Sequence, residues 1–254
     1  MRTVAIIQAR MGSTRLPGKV MLPLNGEHVL THDIRRTKAA ETVDDVVVAT
    51  STKTADDIIA RYAKNAGAKV FRGSESNVLK RMYQASKREN AEIIVRITAD
   101  CPLIAPDVID EVVEQLIETD ADYSANILER TFPRGLDAEA FTFKSFRRVY
   151  QEANDPVYRE HVTPYYHERD DLFSSVSLTS EDMFDDPQMQ NRTDIRITLD
   201  EADDYELLRQ IYYGLECSEI IGVSDIVTYV DDNNLTTVNE NVEQKSHSDT
   251  EDNP

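Results

Sequence analysis

Residues 6–19 read IIQARMGSTRLPGK, and three cations, Arg10, Arg15 and Lys19, stand in this stretch among small residues and a proline. Guanidinium and ammonium groups gathered on one short loop are donors for phosphate or carboxylate oxygens. Complementary chemistry lies elsewhere in the chain. RITAD at 96–100 and RITLD at 196–200 each end an apolar run on an aspartate, Asp100 and Asp200. If both runs are strands of one sheet, both carboxylates lie on its carboxyl edge, where they can share a magnesium ion with substrate phosphates. The competing reading is structural: an Asp after a strand starts a turn or caps a helix, and Asp200 then simply caps the helix that follows it.

Charge distribution favours an anion at the first loop. The chain has 28 basic and 47 acidic residues, a net charge of −19, yet its first acid is Glu27. Residues 1–26 therefore hold Arg2, Arg10, Arg15 and Lys19 unopposed. So negative a chain disfavours nonspecific nucleic-acid or anionic-membrane binding, and a local cationic loop within it points to a small, specific anion. The plain alternative is a solvated basic loop. A Walker A motif is excluded, because five residues separate Gly12 from Gly18 where that motif needs four, and Val20 stands where Ser or Thr would bind magnesium. Pro23 and Gly26 also prevent the helix that such a loop must feed.

In the middle of the chain, FPRGLDAEAF at 132–141 combines Arg134 with Asp137 and Glu139, and YREHVTPYY at 158–166 supplies Arg159, Glu160 and His161. Functionally these make an acceptor pocket, with Arg134 or Arg159 reading a carboxylate or phosphate. Structurally they are a glycine-containing turn and a helix stopped before Pro164, and His161 is a packed or surface histidine.

Alternation of short β-branched runs with amphipathic stretches must position these groups. Strands are expected at 3–9, 45–51, 68–71 and 92–100, with helices at 28–40, 54–66, 76–89 and 106–118. Such a series predicts a mostly parallel, doubly wound sheet with its ligand site at the carboxyl ends of the strands. Beyond residue 120 the pattern loosens into a mixed section: strands at 121–127, 136–143 and 172–178, helices at 144–153 and 158–168. A buried strand at 195–200 and helices over 200–215 and 224–231 follow, and NENVEQKSHSDTEDNP at 239–254 reads as a disordered acidic tail. No apolar run approaches the ~18 residues that span a membrane, and no signal-peptide pattern precedes the first strand, so a cytoplasmic location is expected. Cys101 and Cys217 are expected as reduced thiols. Arg supplies 19 of the cations and Lys 9, and with the acid excess this resembles a halophilic, salt-adapted surface.

The motifs together resemble the cytidylyltransferases that activate sugar acids, most closely the spore-coat polysaccharide biosynthesis branch related to the acylneuraminate and KDO cytidylyltransferases. The stretches that carry the resemblance are IIQARMGSTRLPGKVMLPL, VVVATS, VFRGSESNVLKRMYQA, VRITADCPLI, PRGLDAEAF, REHVTPYY and RITLDEADDYELL, in consistent order over 4–213. The resemblance implies a Rossmann-like three-layer α/β/α sandwich of the nucleotide-diphospho-sugar transferase type. It implies that the loop over residues 9–19 wraps CTP, with Ala9, Gly12, Ser13 and Arg15 around it and Arg10 and Lys19 on phosphates. Thr50 and Ser51 of VVVATS join the nucleotide site, Arg72 and Ser74 border cytosine and ribose, and Asp100 and Asp200 hold Mg2+. It further implies one nucleotidyltransferase domain over 1–238, a homodimer built through an arm within 121–190, and transfer of CMP to an acidic sugar or other anionic acceptor with release of pyrophosphate. On residues alone two other readings stay open. One is a metal-dependent glycosyltransferase using a nucleotide-sugar donor, although Cys101 and Pro102 follow Asp100 where such enzymes keep an acidic pair on one loop. The other is a nucleotide-binding module without turnover.

Overall fold

The computed structural model describes residues 1–215 and 220–244. Cys217 and the tail from residue 245 onward fall outside the described residues. The first half runs β1 (Thr3–Gln8), a hairpin of β2 (Pro23–Leu24) and β3 (Glu27–His28), α1 (Val29–Thr37), β4 (Asp45–Ser51), α2 (Asp57–Asn65), β5 (Lys69–Gly73), α3 (Val78–Arg88), β6 (Ile93–Thr98) and α4 (Pro106–Glu118). The second half adds β7 (Tyr123–Ala125), β8 (Glu139–Thr142), α5 (Phe143–Glu152), α6 (Pro156–His161), α7 (Pro164–His167), β9 (Ser175–Ser177), α8 (Ser180–Met183), α9 (Ala202–Gly214) and α10 (Val223–Asp232).

A seven-stranded sheet in the order β5-β4-β1-β6-β8-β7-β9 forms the middle layer, and β8 alone runs antiparallel to its neighbours. The strands of the mixed section therefore extend the central sheet instead of forming a second one. Successive residues of a strand face opposite sides. In β1, Ala5 and Ile7 pack with α1, α4, α9 and α10, whereas Val4 and Ile6 pack with α3, α5 and α7, which gives three layers and two cores. Strand order reverses between β4 and β6 on either side of β1, so the carboxyl ends of β1 and β6, where Gln8 pairs with Thr98, border the switch-point crevice.

Three expectations differ from the fold. The run at 195–200 is no strand of the sheet; among the described residues it makes one isolated parallel bridge, Arg196 to Arg134. Ile195, Ile197 and Leu199 are nonetheless fully buried, because period-two burial needs only a packed extended segment. The helix expected over 158–168 is broken into α6 and α7 by Val162, whose φ of +71° no helix accommodates, and Pro164 then starts the second piece. The tail expected to be disordered from Asn239 is ordered at its start. Asn239 is buried and its Nδ2 donates to Asp204 Oδ1 (2.8 Å) and to the Arg196 carbonyl (2.9 Å). After the cationic loop, the chain makes a short 3-10 turn (Lys19–Met21) and the β2–β3 hairpin, turning at Asn25 and Gly26, which both have positive φ. No α-helix leaves this loop, as Pro23 and Gly26 required.

Candidate active site

Above the carboxyl ends of β1 and β6 lies a cavity of about 370 Å3. Its walls include Arg10, Gly12, Ser13, Arg15 and Lys19 from the first loop and Asp100 and Asp200 from the two echoed runs. Lys19 unites them: its Nζ donates to Asp100 Oδ2 at 2.6 Å and to Asp200 Oδ1 at 2.8 Å. Burial disfavours the ammonium, but the two carboxylates outweigh it and raise the Lys19 pKa above its ordinary value. Burial likewise pushes Asp200 up, yet Lys19, Arg15 and Arg196 together hold it below the usual carboxylate range. Arg15 lies 3.0 Å from Asp200 Oδ1, and Arg196 Nη2 donates to Asp200 Oδ2 at 2.7 Å.

Asp200 reaches this place without sheet membership. The Leu199 N–H donates to the Asp100 carbonyl at 2.8 Å, and the Arg134 backbone brackets the segment, accepting from the Ile197 N–H at 2.7 Å and donating to the Ile195 carbonyl at 3.0 Å. Gly135 permits that closeness, with φ +106° and room for no Cβ: an added methyl carbon would stand 2.6 Å from Ile197 C and Thr198 N. Nor does Asp200 cap the next helix. The capping box of α9 belongs to Glu201 and Asp204. Buried Asp204 accepts the Asp200 and Glu201 N–H groups, both at 2.9 Å, and fixes Arg196 through its Nε at 2.9 Å. The side chain of Asp200 is thus turned to the cations of the cavity.

A third carboxylate lies behind. Asp33 on α1 is fully buried, with both oxygens lacking a hydrogen-bond partner. Burial and then the Asp100 charge push its pKa well above the carboxylate range, against the smaller pulls of the Cys101 amide, Arg36 and Lys19.

The remaining residues of the expected nucleotide site support the loop more than they line the cavity. Ala9 is buried and donates its N–H to the Ala49 carbonyl at 3.2 Å. Ser51 Oγ donates to buried Asp56, whose other oxygen accepts the Met11 N–H at 2.8 Å, so the end of β4 is tied to the loop. Thr50 is buried with its hydroxyl unpartnered. Arg72 bonds the Ser51 and Lys53 carbonyls, each at 2.8 Å, and Asp57; Ser74 Oγ accepts from Asn77 N at 3.1 Å at the start of α3. None of Thr50, Ser51, Arg72 and Ser74 is on the wall of this cavity.

The same cavity is also lined by Arg134, Asp137 and His161, joined by Glu160, Gln8 and Arg96. Asp137 is held bidentate by Arg130 at 2.9 and 3.0 Å. Among the described residues the Arg134 guanidinium has no hydrogen bond or ion pair, and burial together with Arg130 lowers its pKa. Glu139 is buried and does not line the cavity. Arg96, the Tyr123 hydroxyl at 2.6 Å and Thr163 keep it ionised, with its pKa below the usual range despite burial. Arg159 is exposed and is not on the cavity wall. Three residues escaped sequence reasoning: Arg96, Asp56 and Gln244, the last accepting from Arg196 Nη1 at 2.6 Å on the cavity wall. Only Arg96 left a signal, a charge inside the apolar run IIVRIT that repeats at Arg196 in the echo.

Known proteins resemble this chain over most of its length. The cytidylyltransferase family model matches residues 4–224. The chain is 36% identical over 252 residues to the uncharacterized protein MJ1063 of Methanocaldococcus jannaschii, covering 99% of this chain and 100% of that one. It is 31% identical over 233 residues to the spore coat polysaccharide biosynthesis protein SpsF of Bacillus subtilis, covering 90% and 93% of the two chains. Among solved structures, a cytidylyltransferase from Leptospira borgpetersenii superposes with a TM-score of 0.86 at 32% identity, covering 97% of this chain and 100% of that one. The chain belongs to the cytidylyltransferase family.

Proposed function

We propose that the protein transfers CMP from CTP to an oxygen of an acidic sugar or another anionic small molecule, releasing pyrophosphate, for polysaccharide or glycan assembly. The observation that carries this reading is the meeting of Lys19 with Asp100 and Asp200 in a cavity that Arg10 and Arg15 also line. The acceptor oxygen forms a bond to the α-phosphorus as the bond to the β-bridging oxygen breaks, and that electron pair leaves on pyrophosphate. A hydroxyl acceptor also loses its proton; a phosphate or phosphonate acceptor has already done so.

Such transfer depends on positioning and on neutralising charge. Arg10, Arg15 and Lys19 supply donors for the triphosphate, while Ser13 and the Cβ-free Gly12 leave room for the phosphates against the backbone. Arg134 offers a guanidinium with no hydrogen bond or ion pair of its own among the described residues for the acceptor's charge, which favours an anionic acceptor. Asp100 and Asp200 would hold Mg2+. They fit it because two facing carboxylates with phosphates and water make a typical magnesium shell. When bound, the ion supplies further neutralisation of the phosphate oxygens.

Incubation with CTP, Mg2+ and a panel of nonulosonic acids, sugar phosphates and phosphonates tests the reading: at least one acceptor gives pyrophosphate. Asp100→Asn and Asp200→Asn should each cut that rate by about 100-fold or more while the protein stays folded. Near-normal rates in both would remove the carboxylates from the chemistry.

A further inference from the structure

We propose that Lys19 is a place-holder for the divalent cation, standing between Asp100 and Asp200 until a nucleotide triphosphate draws its ammonium away. Metal and nucleotide then bind as a coupled pair, and metal alone binds poorly. The inference deepens the nucleotidyl-transfer reading and rests on it.

The geometry is direct. One nitrogen contacts an oxygen of each carboxylate, at 2.6 and 2.8 Å, so a dication held by these two residues would enter beside a positive charge. Asp200 is further matched by Arg15 at 3.0 Å and Arg196 at 2.7 Å. The two carboxylates are thus charge-matched by the chain's own cations. These cations differ in freedom, however. Arg196 is fastened by Asp204 and Gln244, so it remains with Asp200. Lys19 ends a flexible four-carbon stem, with both of its ion pairs made to the two carboxylates. Arg15 is shared between Asp200 and Glu201 (3.2 Å). Both line the cavity that would receive the triphosphate, so a short swing carries them from carboxylate to phosphate without leaving it. A triphosphate offers them more negative charge than the aspartates do, and their departure uncovers oxygens for the metal. Linkage then requires that each ligand raise the other's affinity by the same factor, and couplings of this kind run to about 5–150-fold.

Mn2+ alone is the probe, titrated without nucleotide and followed by the loss of its free electron paramagnetic resonance signal. Lys19→Met should bind Mn2+ about 10-fold or more tighter than the wild type, while Lys19→Arg, which keeps the charge, stays weak. Lys19→Met binding no tighter than the wild type would overturn the proposal. A second readout needs no variant. In the wild type, Mn2+ alone should leave the melting temperature nearly unchanged, whereas Mn2+ with CTP should raise it by more than the two separate shifts combined. A full shift with Mn2+ alone would overturn it as well. Since the metal titrations require no turnover, they stand apart from the acceptor screen. Absence of pyrophosphate in that screen would sink the nucleotidyl-transfer reading and leave the Lys19 result interpretable.

Discussion

Gly135→Ala is the substitution whose cost the structure fixes best, because two independent terms can be worked out at that position. A residue other than glycine at φ +106° is strained by about 1–3 kcal/mol. Its Cβ would also stand 2.6 Å from Ile197 C and Thr198 N, backbone atoms that must move, which adds roughly the 1–3 kcal/mol of an overpacked core. At about 2–4 °C per kcal/mol for a domain of this size, the melting temperature should fall by about 5–20 °C. Gly26→Ala supplies the control. That glycine has φ +81° but nothing within 4 Å of an added Cβ, so only conformational strain of about 1–2 kcal/mol applies. Calorimetric melting of the wild type and both variants is the assay, with CTP-dependent turnover measured below each transition. Gly135→Ala should lose more stability than Gly26→Ala and more activity, since the displaced segment ends at Asp200. Equal losses in the two variants would refute the reasoning that residues 134–136 hold the 195–200 segment in place.

Asp33 makes stability depend on pH. Its folded pKa lies above the unfolded one, so the folded state keeps a proton that the unfolded chain releases, and its contribution is lost as pH rises above the ordinary carboxylate pKa. Asp33→Asn should therefore gain melting temperature relative to the wild type between pH 4 and pH 8; a constant difference across that range would contradict the assignment. The surface charge predicts a salt dependence. With a net charge of −19, self-repulsion should lower the melting temperature at low ionic strength and molar salt should raise it, whereas identical melting in both would reject a salt-adapted surface.

Much of this was legible in the sequence because its signals are local. The β-branched runs at β1, β4 and β6 bury both faces and can only be interior strands, and Pro106 with Asp107 marks the start of α4 at the expected residue. Charge reversal after residue 26 picked out the loop that carries Lys19. What was not legible depends on tertiary partners. The alternation in IRITLD reports burial but not a hydrogen-bonded ladder, and the actual partners, the backbone of Arg134 and the Asp100 carbonyl, are distant in sequence. Asn239 looks like the start of a polar tail until Asp204 gives it a buried partner. Arg72 and Ser74 were placed by resemblance, and their short-range bonds to loops around α2 and α3 leave no pattern in residue type. Glu139 is buried because Arg96 and Tyr123 meet it across neighbouring strands, a pairing fixed only once β6, β7 and β8 are in register.

The fate of the α-phosphorus tests the central claim most directly. Phosphorus NMR of a reaction containing the protein, CTP, Mg2+ and a mixture of acidic sugars should show pyrophosphate appearing in step with a new CMP ester. Orthophosphate with CDP, or unchanged CTP alongside sugar loss from an added nucleotide sugar, would contradict it.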